Sequence, residues 1–462
     1  MIKTHVLNAI FRQSLSKSAY RRFATSTALN SENHYDIIVA GGGMVGSTLA
    51  CTLSKNPKLS NRKILLLEAS KDFNWKPTEK YSNRVVALNL NTRKLFERIG
   101  FWKHIESVRY SPVYKIQAWD ALSESMITFD SSNDTEEVAY IVENSLILYA
   151  ASIENKSLHN LNIINEARIK SCNLAIHEDD EIRVELENGT SYTCELLLGC
   201  DGVSSKVREA MGVQYVGWNY KQMGLVATLN LSEDTEENTI AWQRYIPTGT
   251  IALLPLNTKQ SSLVWCNTKD NIQKLLKLPP EQFVDELNSA LWKQYERNDI
   301  VNQATKFLNN ILRTLDASSN IMQQLPPNIC SIEQSSRAAF PLGFGHSANY
   351  IRKGAALVGD AAHRVHPLGG QGVNLGFGDI CCLDEILGNA VYSGRKLNNL
   401  LDLRKYETAR QRHNVPTMLA LDGLQKLYTT DFTPVVLLRS LGLQITHALT
   451  PVKRAIIEQA SH

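Results

Sequence analysis

The stretch YDIIVAGGGMVG, residues 35–46, decides the fold of this chain of 462 residues. Its first half is a short apolar run that stops at glycines, which predicts a buried strand over 35–40. A helix is predicted over 44–55, and a second apolar strand follows over 63–68. A glycine fingerprint between a strand and a helix, followed by another strand, indicates a dinucleotide-binding unit.

The glycines of this unit each have a physical task. Gly41 allows the tight turn after the strand, Gly43 lets the backbone approach a pyrophosphate, and Gly46 allows the helix to pack closely on the strand. The helix N-terminus favours negative charge through its free N–H groups and its dipole. Glu68 ends the second strand, where it can accept hydrogen bonds from the ribose hydroxyls of an adenosine.

Two later segments complete a pocket for both halves of FAD. The apolar run 196–200 ends at Asp201 and a glycine, which alone are only a turn signal. The run 356–358 ends at Gly359, after which Asp360 is free to hold the ribityl or ribose hydroxyls. The run 366–374 follows, and its glycines allow a turn against the isoalloxazine. A helix predicted from about residue 372 can stabilise negative charge on a reduced flavin. The candidates in this turn are Gly370, Gly372 and Asn374.

The remaining patterns predict a discontinuous α/β fold. Residues 84–107 and 280–315 have a helical pattern, whereas 108–142 and 213–268 alternate as strands do. A further strand is predicted over 337–342. We therefore expect a Rossmann-like FAD-binding domain with an inserted β-sheet substrate domain and a C-terminal helical segment. The predicted bounds are 31–107, 143–212 and 337–400 for the FAD-binding domain, 108–142 and 213–336 for the substrate domain, and 401–462 for the C-terminal helices.

Charge and composition restrict the compartment and the partners. Residues 1–30 contain no acid, and their apolar residues recur at helical spacing between the basic residues Lys3, Arg12, Lys17, Arg21 and Arg22. This pattern predicts a mitochondrial transit peptide, with an inconsequential tail as the alternative. The formal net charge of +3 is concentrated there, so no nucleic-acid surface is indicated. The eight cysteines lack metal-ligand spacing, and no apolar run reaches the length of a membrane span.

The chain resembles the flavin-dependent aromatic hydroxylases over about residues 35–455. The resemblance is carried by the glycine fingerprint, the Asp201 turn, the 356–374 segment and the run 81–88. It implies that Arg84 lies on the flavin side of the pocket and that Asp201 lies beside the FAD pyrophosphate. The runs WQRYIPTG (242–249) and RAAFPL (337–342) are similar to the ubiquinone-biosynthesis branch of this family. With the leader, they resemble the mitochondrial enzymes that hydroxylate ring carbon C5.

This resemblance implies an activity, a substrate and partners. A flavin C4a-hydroperoxide, formed from reduced FAD and O₂, would hydroxylate the ring of a polyprenyl phenol or benzoate. Substrate-pocket candidates are Tyr245, Pro247, Phe340 and Pro367, and no catalytic side chain is predicted. The implied electron donor is a ferredoxin with its reductase. Other ubiquinone-biosynthesis proteins are implied as partners, and the implied location is the matrix side of the mitochondrial inner membrane, in peripheral contact with it.

A C-terminal helix is predicted with Thr433 as its N-cap and Pro434 as its first residue. Apolar residues recur along it at helical intervals, and basic residues lie near its ends; these are Leu438, Leu441, Ile445, Leu449 and Val452, with Arg439, Lys453 and Arg454. An amphipathic helix of this kind can lie on a membrane surface, dock to a partner or pack on the protein's own core. The pattern leaves these three possibilities open.

Two other classes of function remain compatible with these patterns. One is a different flavin enzyme, a dehydrogenase or a reductase of polyprenyl groups, which would form no hydroxylated product. The other is a non-enzymatic prenyl-binding protein with the same fold and a degenerate nucleotide site. Intact glycines and acids in all three FAD segments argue against this second class.

Overall fold

A computed structural model describes residues 33–449 and 452, except 124, 131–135, 175–180, 233–236, 297–298 and 315–324. The predicted transit peptide, 1–30, and the basic residues Lys453 and Arg454 lie outside the described residues. The described chain forms three sheets with helices packed around them.

The first sheet contains the predicted dinucleotide-binding unit. Its order is β18-β19-β11-β1-β2-β8, and β10 and β9 extend it from β11. The strands from β19 to β8 are parallel, so their carboxyl ends meet at one edge. The bounds are β1 (His34–Ala40), β2 (Ile64–Leu67), β8 (Leu161–Ile164), β9 (Ile169–Asn173), β10 (Ile182–Leu186), β11 (Ser191–Gly199), β18 (Ile351–Arg352) and β19 (Ala355–Leu357).

The second sheet has nine strands, most of which come from the predicted substrate domain. Its order is β20-β17-β12-β15-β14-β13-β5-β6, with β16 beside β12. The bounds are β5 (Lys115–Asp120), β6 (Met126–Asp130), β12 (Tyr215–Leu231), β13 (Ile240–Ile246), β14 (Gly249–Asn257), β15 (Gln260–Thr268), β16 (Ile329–Ile332), β17 (Ala338–Ser347) and β20 (His363–Arg364). The predicted division assigned 337–400 to the FAD-binding domain, whereas β17 pairs with β12 inside this second sheet.

A small third sheet corrects one prediction. It consists of β3 (Val85–Leu88), β7 (Ala139–Glu143) and β4 (Ser111–Val113), in the order β3-β7-β4. Residues 84–107 were expected to be helical throughout, but 85–88 pair with β7 across more than fifty residues of sequence. A local pattern cannot reveal such a distant partner, and tertiary pairing overrides a weak helical periodicity.

Helices pack against the first and the second sheet. Their bounds are α1 (Met44–Lys55), α2 (Leu90–Ile99), α3 (Phe101–Glu106), α4 (Asn144–Lys156), α5 (Lys206–Met211), α6 (Lys269–Lys277), α7 (Pro280–Trp292), α8 (Asp299–Thr314), α9 (Gln371–Tyr392), α10 (Leu400–Tyr428) and α11 (Thr433–Ala448). Helices α6 and α7 pack on one face of the second sheet, where Trp242 and Trp265 share an apolar core with Phe283. The opposite face is left for the cavity described below.

The C-terminal helix α11 differs from its prediction in two respects. Its N-cap is Phe432, so Thr433 is the first helical residue and not the cap. Arg439 is not an exposed basic flank but is fully buried in an ion pair with Asp120 of β5. No described helix is both long and apolar enough to cross a membrane.

Candidate cofactor and substrate site

The glycine fingerprint forms a closely packed cradle at the carboxyl edge of the first sheet. Gly41 has a φ of +99°, and a Cβ there would lie 2.5 Å from the carbonyl oxygen of Cys200. A Cβ on Gly46 would lie 1.8 Å from the carbonyl oxygen of Gly41. Gly43, by contrast, faces open space directly before α1. The cradle therefore leaves room where a phosphate would approach a helix N-terminus.

Glu68 follows β2 and contacts the same loop. Its Oε2 accepts a hydrogen bond from the backbone N–H of Gly42 at 2.6 Å. Its Oε1 accepts one from the backbone N–H of Ser70 at 2.7 Å. A carboxylate held in this way lies beside the glycine turn, where the sequence predicts the ribose of an adenosine.

Asp201 follows β11 at the same edge and has one unused oxygen. Its Oδ2 accepts hydrogen bonds from the backbone N–H groups of Lys206, at 2.6 Å, and Val207, at 3.2 Å. Its Oδ1 is buried and has no hydrogen-bond partner among the described residues. Because a buried acceptor without a partner costs free energy, this oxygen fits a site completed by a bound group such as FAD.

The turn at Gly359 and Asp360 is held from behind by a buried charge network. The backbone N–H of Gly359 donates to Asp379 Oδ2 at 3.0 Å, and His363 Nε2 lies 2.6 Å from the same oxygen. The Arg410 side chain donates to Asp379 Oδ1 at 2.7 Å. Burial alone would raise the pKa of Asp379, but His363 and Arg410 outweigh it and lower that pKa.

Asp360 itself is exposed toward the cavity, but the protein walls around it partly desolvate its carboxyl. This desolvation raises the pKa of its carboxyl, against the lowering effects of His363 and Arg364. No sequence pattern indicated the supporting residues Asp379 and Arg410. Both lie on helices that follow the FAD segments, and a lone buried acid or arginine within a helical pattern gives no signal of its partner.

The loop 366–374 adopts the predicted glycine turn. Gly369 and Gly370 have φ angles of +73° and +65°, conformations that other residues rarely adopt. Asn374 lies behind this turn: its amide donates to the carbonyl oxygens of Ala87, at 2.8 Å, and Gly370, at 3.2 Å. Its Oδ1 accepts from the backbone N–H of Asn89. The side chain therefore ties the turn to β3, and its hydrogen-bonding capacity is used within the protein.

Two histidines flank the turn, and both are buried. His363 belongs to the Asp379 network, and His366 lies 3.4 Å from Gln222 Oε1. Burial lowers the pKa of His366 to about 4, so its imidazole is neutral near pH 7. This buried setting suits a structural role for both histidines.

Arg84 lies at the rim of the same site on an anchored segment. Its guanidinium has no hydrogen-bond partner among the described residues, and its side chain is exposed. The segment before it is held by Glu143, which accepts from the backbone N–H of Ser82 at 2.6 Å and pairs with Arg109 at 2.7 Å. The Glu143–Arg109 pair gave no sequence signal, since its members come from two separate segments.

A cavity of about 590 Å³ extends from this site to the free face of the second sheet. The charged residues that line it are Arg84, Asp360 and Arg364. Gly370 and Gly372 of the turn line it as well. The rest of the wall is apolar or neutral and comes mainly from β3, β4, β7 and strands β12 to β15.

The four predicted substrate residues do not all lie on this cavity. Phe340 and Pro367 line it, but Tyr245 and Pro247 do not. Tyr245 stacks on Tyr428 of α10 with 3.8 Å between ring centroids and packs in one apolar cluster with Leu368. Tyr245 therefore lies behind the glycine turn, because α10 covers the end of β13.

Comparisons with known proteins agree with this site. An FAD-binding-domain family model matches residues 34–309 and 316–418. The mitochondrial ubiquinone biosynthesis monooxygenase COQ6 of Drosophila melanogaster is 47% identical over 437 residues, covering 94% of this chain and 91% of the relative. The human protein of the same name is 41% identical over 450 residues, covering 96% and 95%.

Solved structures show the fold at low sequence identity. The p-nitrophenol 4-monooxygenase PnpA of Pseudomonas putida has a TM-score of 0.67 and 16% identity, covering 93% of this chain and 99% of that one. Klebsiella pneumoniae HpxO, solved with FAD and uric acid, has a TM-score of 0.65 and 15% identity, covering 92% and 96%.

The glycine cradle and the unused oxygen of Asp201 fit FAD, and the expected cofactor and enzyme class are confirmed by the relatives. The chain therefore belongs to the mitochondrial ubiquinone-biosynthesis monooxygenases, FAD-dependent enzymes with the aromatic-hydroxylase fold.

Proposed function

We propose that this protein hydroxylates carbon C5 of the aromatic ring in a polyprenylated phenol or benzoate, using FAD and O₂. The observation that carries the proposal is the continuity of one cavity. Asp360 and Gly370 line its cofactor end, and Ala252 and Val264 of the second sheet line its far side. A ring bound on the sheet would therefore lie within the same enclosure as the flavin.

The residues divide the work between cofactor and substrate. Gly43 would border the FAD pyrophosphate on the turn that Gly41 and Gly46 allow. Glu68 would hold the adenosine ribose, and Asp360 the ribityl chain. Bound FAD, once reduced, supplies the oxygen activation. Apolar walls that include Phe340 and Pro367 keep water from the reacting ring and fix its position.

The test of this function follows the origin of oxygen in the product. The purified protein is reduced with dithionite without oxygen, mixed with a short-chain prenylated 4-hydroxybenzoate, and then exposed to ¹⁸O₂. We expect one labelled hydroxyl on the ring. Label arriving from water would exclude oxygen transfer from O₂. Flavin oxidation without any oxygenated product would favour a dehydrogenase or prenyl reductase, and protein isolated without yellow flavin absorbance would favour a prenyl-binding protein.

Peripheral membrane contact is supported by an exposed apolar surface on α8 and α11, which pack against each other. Leu438 and Phe307 are 69% and 68% exposed, and Ile311, Ile445 and Leu449 are also exposed. The buried residues of α11 are Val436 and the polar Arg439, Ser440 and Gln444. Large exposed apolar patches indicate interaction surfaces, and a polyprenyl substrate resides in a bilayer. We therefore favour the inner membrane, on its matrix side, as the surface contacted.

Vesicle flotation tests this surface directly. The double variant Leu438→Glu with Ile445→Glu should lose binding to phosphatidylcholine vesicles that contain cardiolipin, while its FAD content stays unchanged. Leu401→Glu is the matched control, because Leu401 is exposed on α10 away from this surface. Equal flotation of all three proteins would contradict the membrane assignment.

The proposed function also requires an electron donor and partner proteins. We propose a ferredoxin with its reductase as donor, other ubiquinone-biosynthesis proteins as partners, and mitochondrial import through residues 1–30. Anaerobic flavin bleaching distinguishes the donors. Reduced ferredoxin should bleach the bound flavin quickly, and equally fast bleaching by NADPH alone would contradict a protein donor.

A further inference from the structure

The sheet wall of the cavity has one polar side chain at its centre. Gln243 lies in the middle of β13, and its register partners are Ala252 of β14 and Ala118 of β5. Both cross-strand neighbours are alanines, so neither is long enough to cover the amide of Gln243. Gln243 lines the cavity, and so does part of the adjacent Trp242, but the side chain of Trp242 packs in the core on the opposite face of the sheet.

The amide of Gln243 has no hydrogen-bond partner among the described residues of the chain. The other neutral polar groups of this wall are in different situations. Thr250 hydrogen-bonds the Cys266 thiol. Ser262 Oγ also has no hydrogen-bond partner among the described residues, but Ser262 is fully buried within the sheet. Gln243 is only partly buried because its side chain reaches the cavity space. It is therefore the polar group on this wall best placed to meet a ligand.

Gln243 also lies close to the cofactor end. Tyr245, two residues further along β13, points to the same face, since side chains in a strand alternate. Tyr245 packs with Leu368 of the glycine turn. Gln243 is thus two residues, or about 7 Å along the strand, from Tyr245, whose side chain packs against this turn. A ring placed against the flavin would have its edge within reach of this amide.

We propose that the amide N–H of Gln243 donates a hydrogen bond to the phenolic oxygen of the substrate ring and thereby fixes which carbon faces the flavin. An uncharged amide suits a phenolic oxygen, while Arg84 and Arg364 on the same cavity suit a carboxylate better. Gln243 is a substrate-positioning residue in this view, and the assignment rests on the proposed ring hydroxylation.

The experiment compares two ligands with two variants. Gln243→Met keeps the side-chain length and removes the donor. Gln117→Met is the matched control, because Gln117 pairs in register with Trp242 and so belongs to the opposite face. Affinities for a short-chain prenylated 4-hydroxybenzoate and for the same compound without its 4-hydroxyl are measured from the change in flavin absorbance. Product per flavin is then measured in a single turnover after dithionite reduction.

We expect Gln243→Met to weaken binding of the hydroxylated ligand roughly 2- to 13-fold, the range for one lost neutral hydrogen bond. Binding of the ligand without its hydroxyl should not change, and more of the O₂ should appear as hydrogen peroxide. Equal weakening for both ligands, or an altered flavin spectrum without ligand, would overturn the assignment. If Gln243→Met retains no FAD, Gln243→Glu, which also removes the donor, decides by the same comparison.

These outcomes separate the inference from the proposed function. If the parent protein forms no hydroxylated product, the ring hydroxylation fails regardless of Gln243. If the parent forms product and Gln243→Met binds and couples as well as the parent, only the role of Gln243 fails.

Discussion

At the scale of single residues, the cofactor site depends on where the backbone leaves space and where it leaves none. Gly46 packs directly on Gly41, whereas Gly43 borders open space at the start of α1. Gly46 is therefore needed for close packing in the fold, whereas Gly43 is free to border the ligand. The two glycines of one fingerprint therefore have separable roles that substitution by alanine can distinguish.

Gly46→Ala should destabilise the protein even without FAD, because its Cβ would lie 1.8 Å from the Gly41 carbonyl oxygen. Gly43→Ala should leave the melting temperature of the FAD-free protein unchanged but weaken FAD binding at least tenfold. Thermal melts and fluorescence titration with FAD measure the two effects. Gly423→Ala is the control, since that position in α10 has open space around it. Similar losses in Gly43→Ala and Gly46→Ala before FAD is added would contradict the distinction.

At the scale of elements, a buried ion pair between Arg439 and Asp120 fixes α11 to the second sheet. The opposite side of α11 exposes apolar side chains. Arg439 pairs with both oxygens of Asp120 at 3.0 Å and donates to the carbonyl oxygens of Leu427 and Thr430 at 2.8 Å. Its guanidinium also lies over the ring of Tyr428. One arginine therefore connects α11, the end of α10 and β5.

Arg439→Met should cost about 3–5 kcal/mol in the free energy of unfolding, because it leaves the buried Asp120 carboxylate without its cation. Urea unfolding measures this loss, and adding Asp120→Asn to Arg439→Met should restore part of it. Lys426→Met provides the comparison: its pair with Asp422 is largely exposed on the lysine side, so its loss should be under about 1 kcal/mol. A loss for Arg439→Met no larger than that of Lys426→Met would contradict the role of the buried pair.

A second junction between elements predicts a pH dependence. Glu154 of α4 contacts Lys55 of α1 and, from α3, Lys103 and His104 at 2.8 and 2.7 Å. Burial alone would raise the pKa of Glu154, but the hydrogen bonds from Lys103, Lys55 and His104 outweigh it and lower that pKa to about 2. A lowered pKa contributes stability that is present above the ordinary pKa and is lost as pH falls toward the folded value.

Glu154→Gln should therefore be less stable than the parent at pH 7 by about 2–3 kcal/mol. The difference should shrink as pH falls from about 4.5 toward about 2. Urea unfolding of both proteins across this range measures it. Glu209→Gln, whose carboxylate is exposed in its pair with Lys206, should show no comparable gap. A gap for Glu154→Gln that stays constant with pH would contradict the assignment.

The sequence predicted the elements whose signal is local. Strand β1 and helix α1 lie where the apolar run and glycines placed them, and all three FAD segments reach one sheet edge. The features that the sequence could not reveal depend on contacts with residues that are distant in the chain. Residues 85–88 form a strand because β7 pairs with them. Arg439 is buried because it pairs with Asp120, which lies 319 residues away in the sequence.

At the scale of the whole molecule, FAD would connect segments that are far apart in the sequence and that meet at the edge of the first sheet. In the proposed site, the first glycine segment and Glu68 would form the adenosine end, and Asp360 with the 366–374 turn would form the flavin end. Parallel strands bring these segments together, since their carboxyl ends share one edge. The two ends should therefore bind the two halves of the cofactor with separable contributions.

ADP, which lacks the flavin, should stabilise the FAD-free protein through the adenosine end alone. A ligand at one hundred times its dissociation constant adds about 2.7 kcal/mol of stability, which a thermal melt detects as a shift of several degrees. FAD at the same multiple of the ADP dissociation constant should shift the melt further, because it also fills the flavin end.

Asp360→Asn should keep the full ADP shift and lose part of the extra shift from FAD, whereas Gly43→Ala should reduce both. If ADP gives no shift while FAD does, or if Asp360→Asn loses the ADP shift, the adenosine half is not bound where the glycines of 41–46 and Glu68 place it.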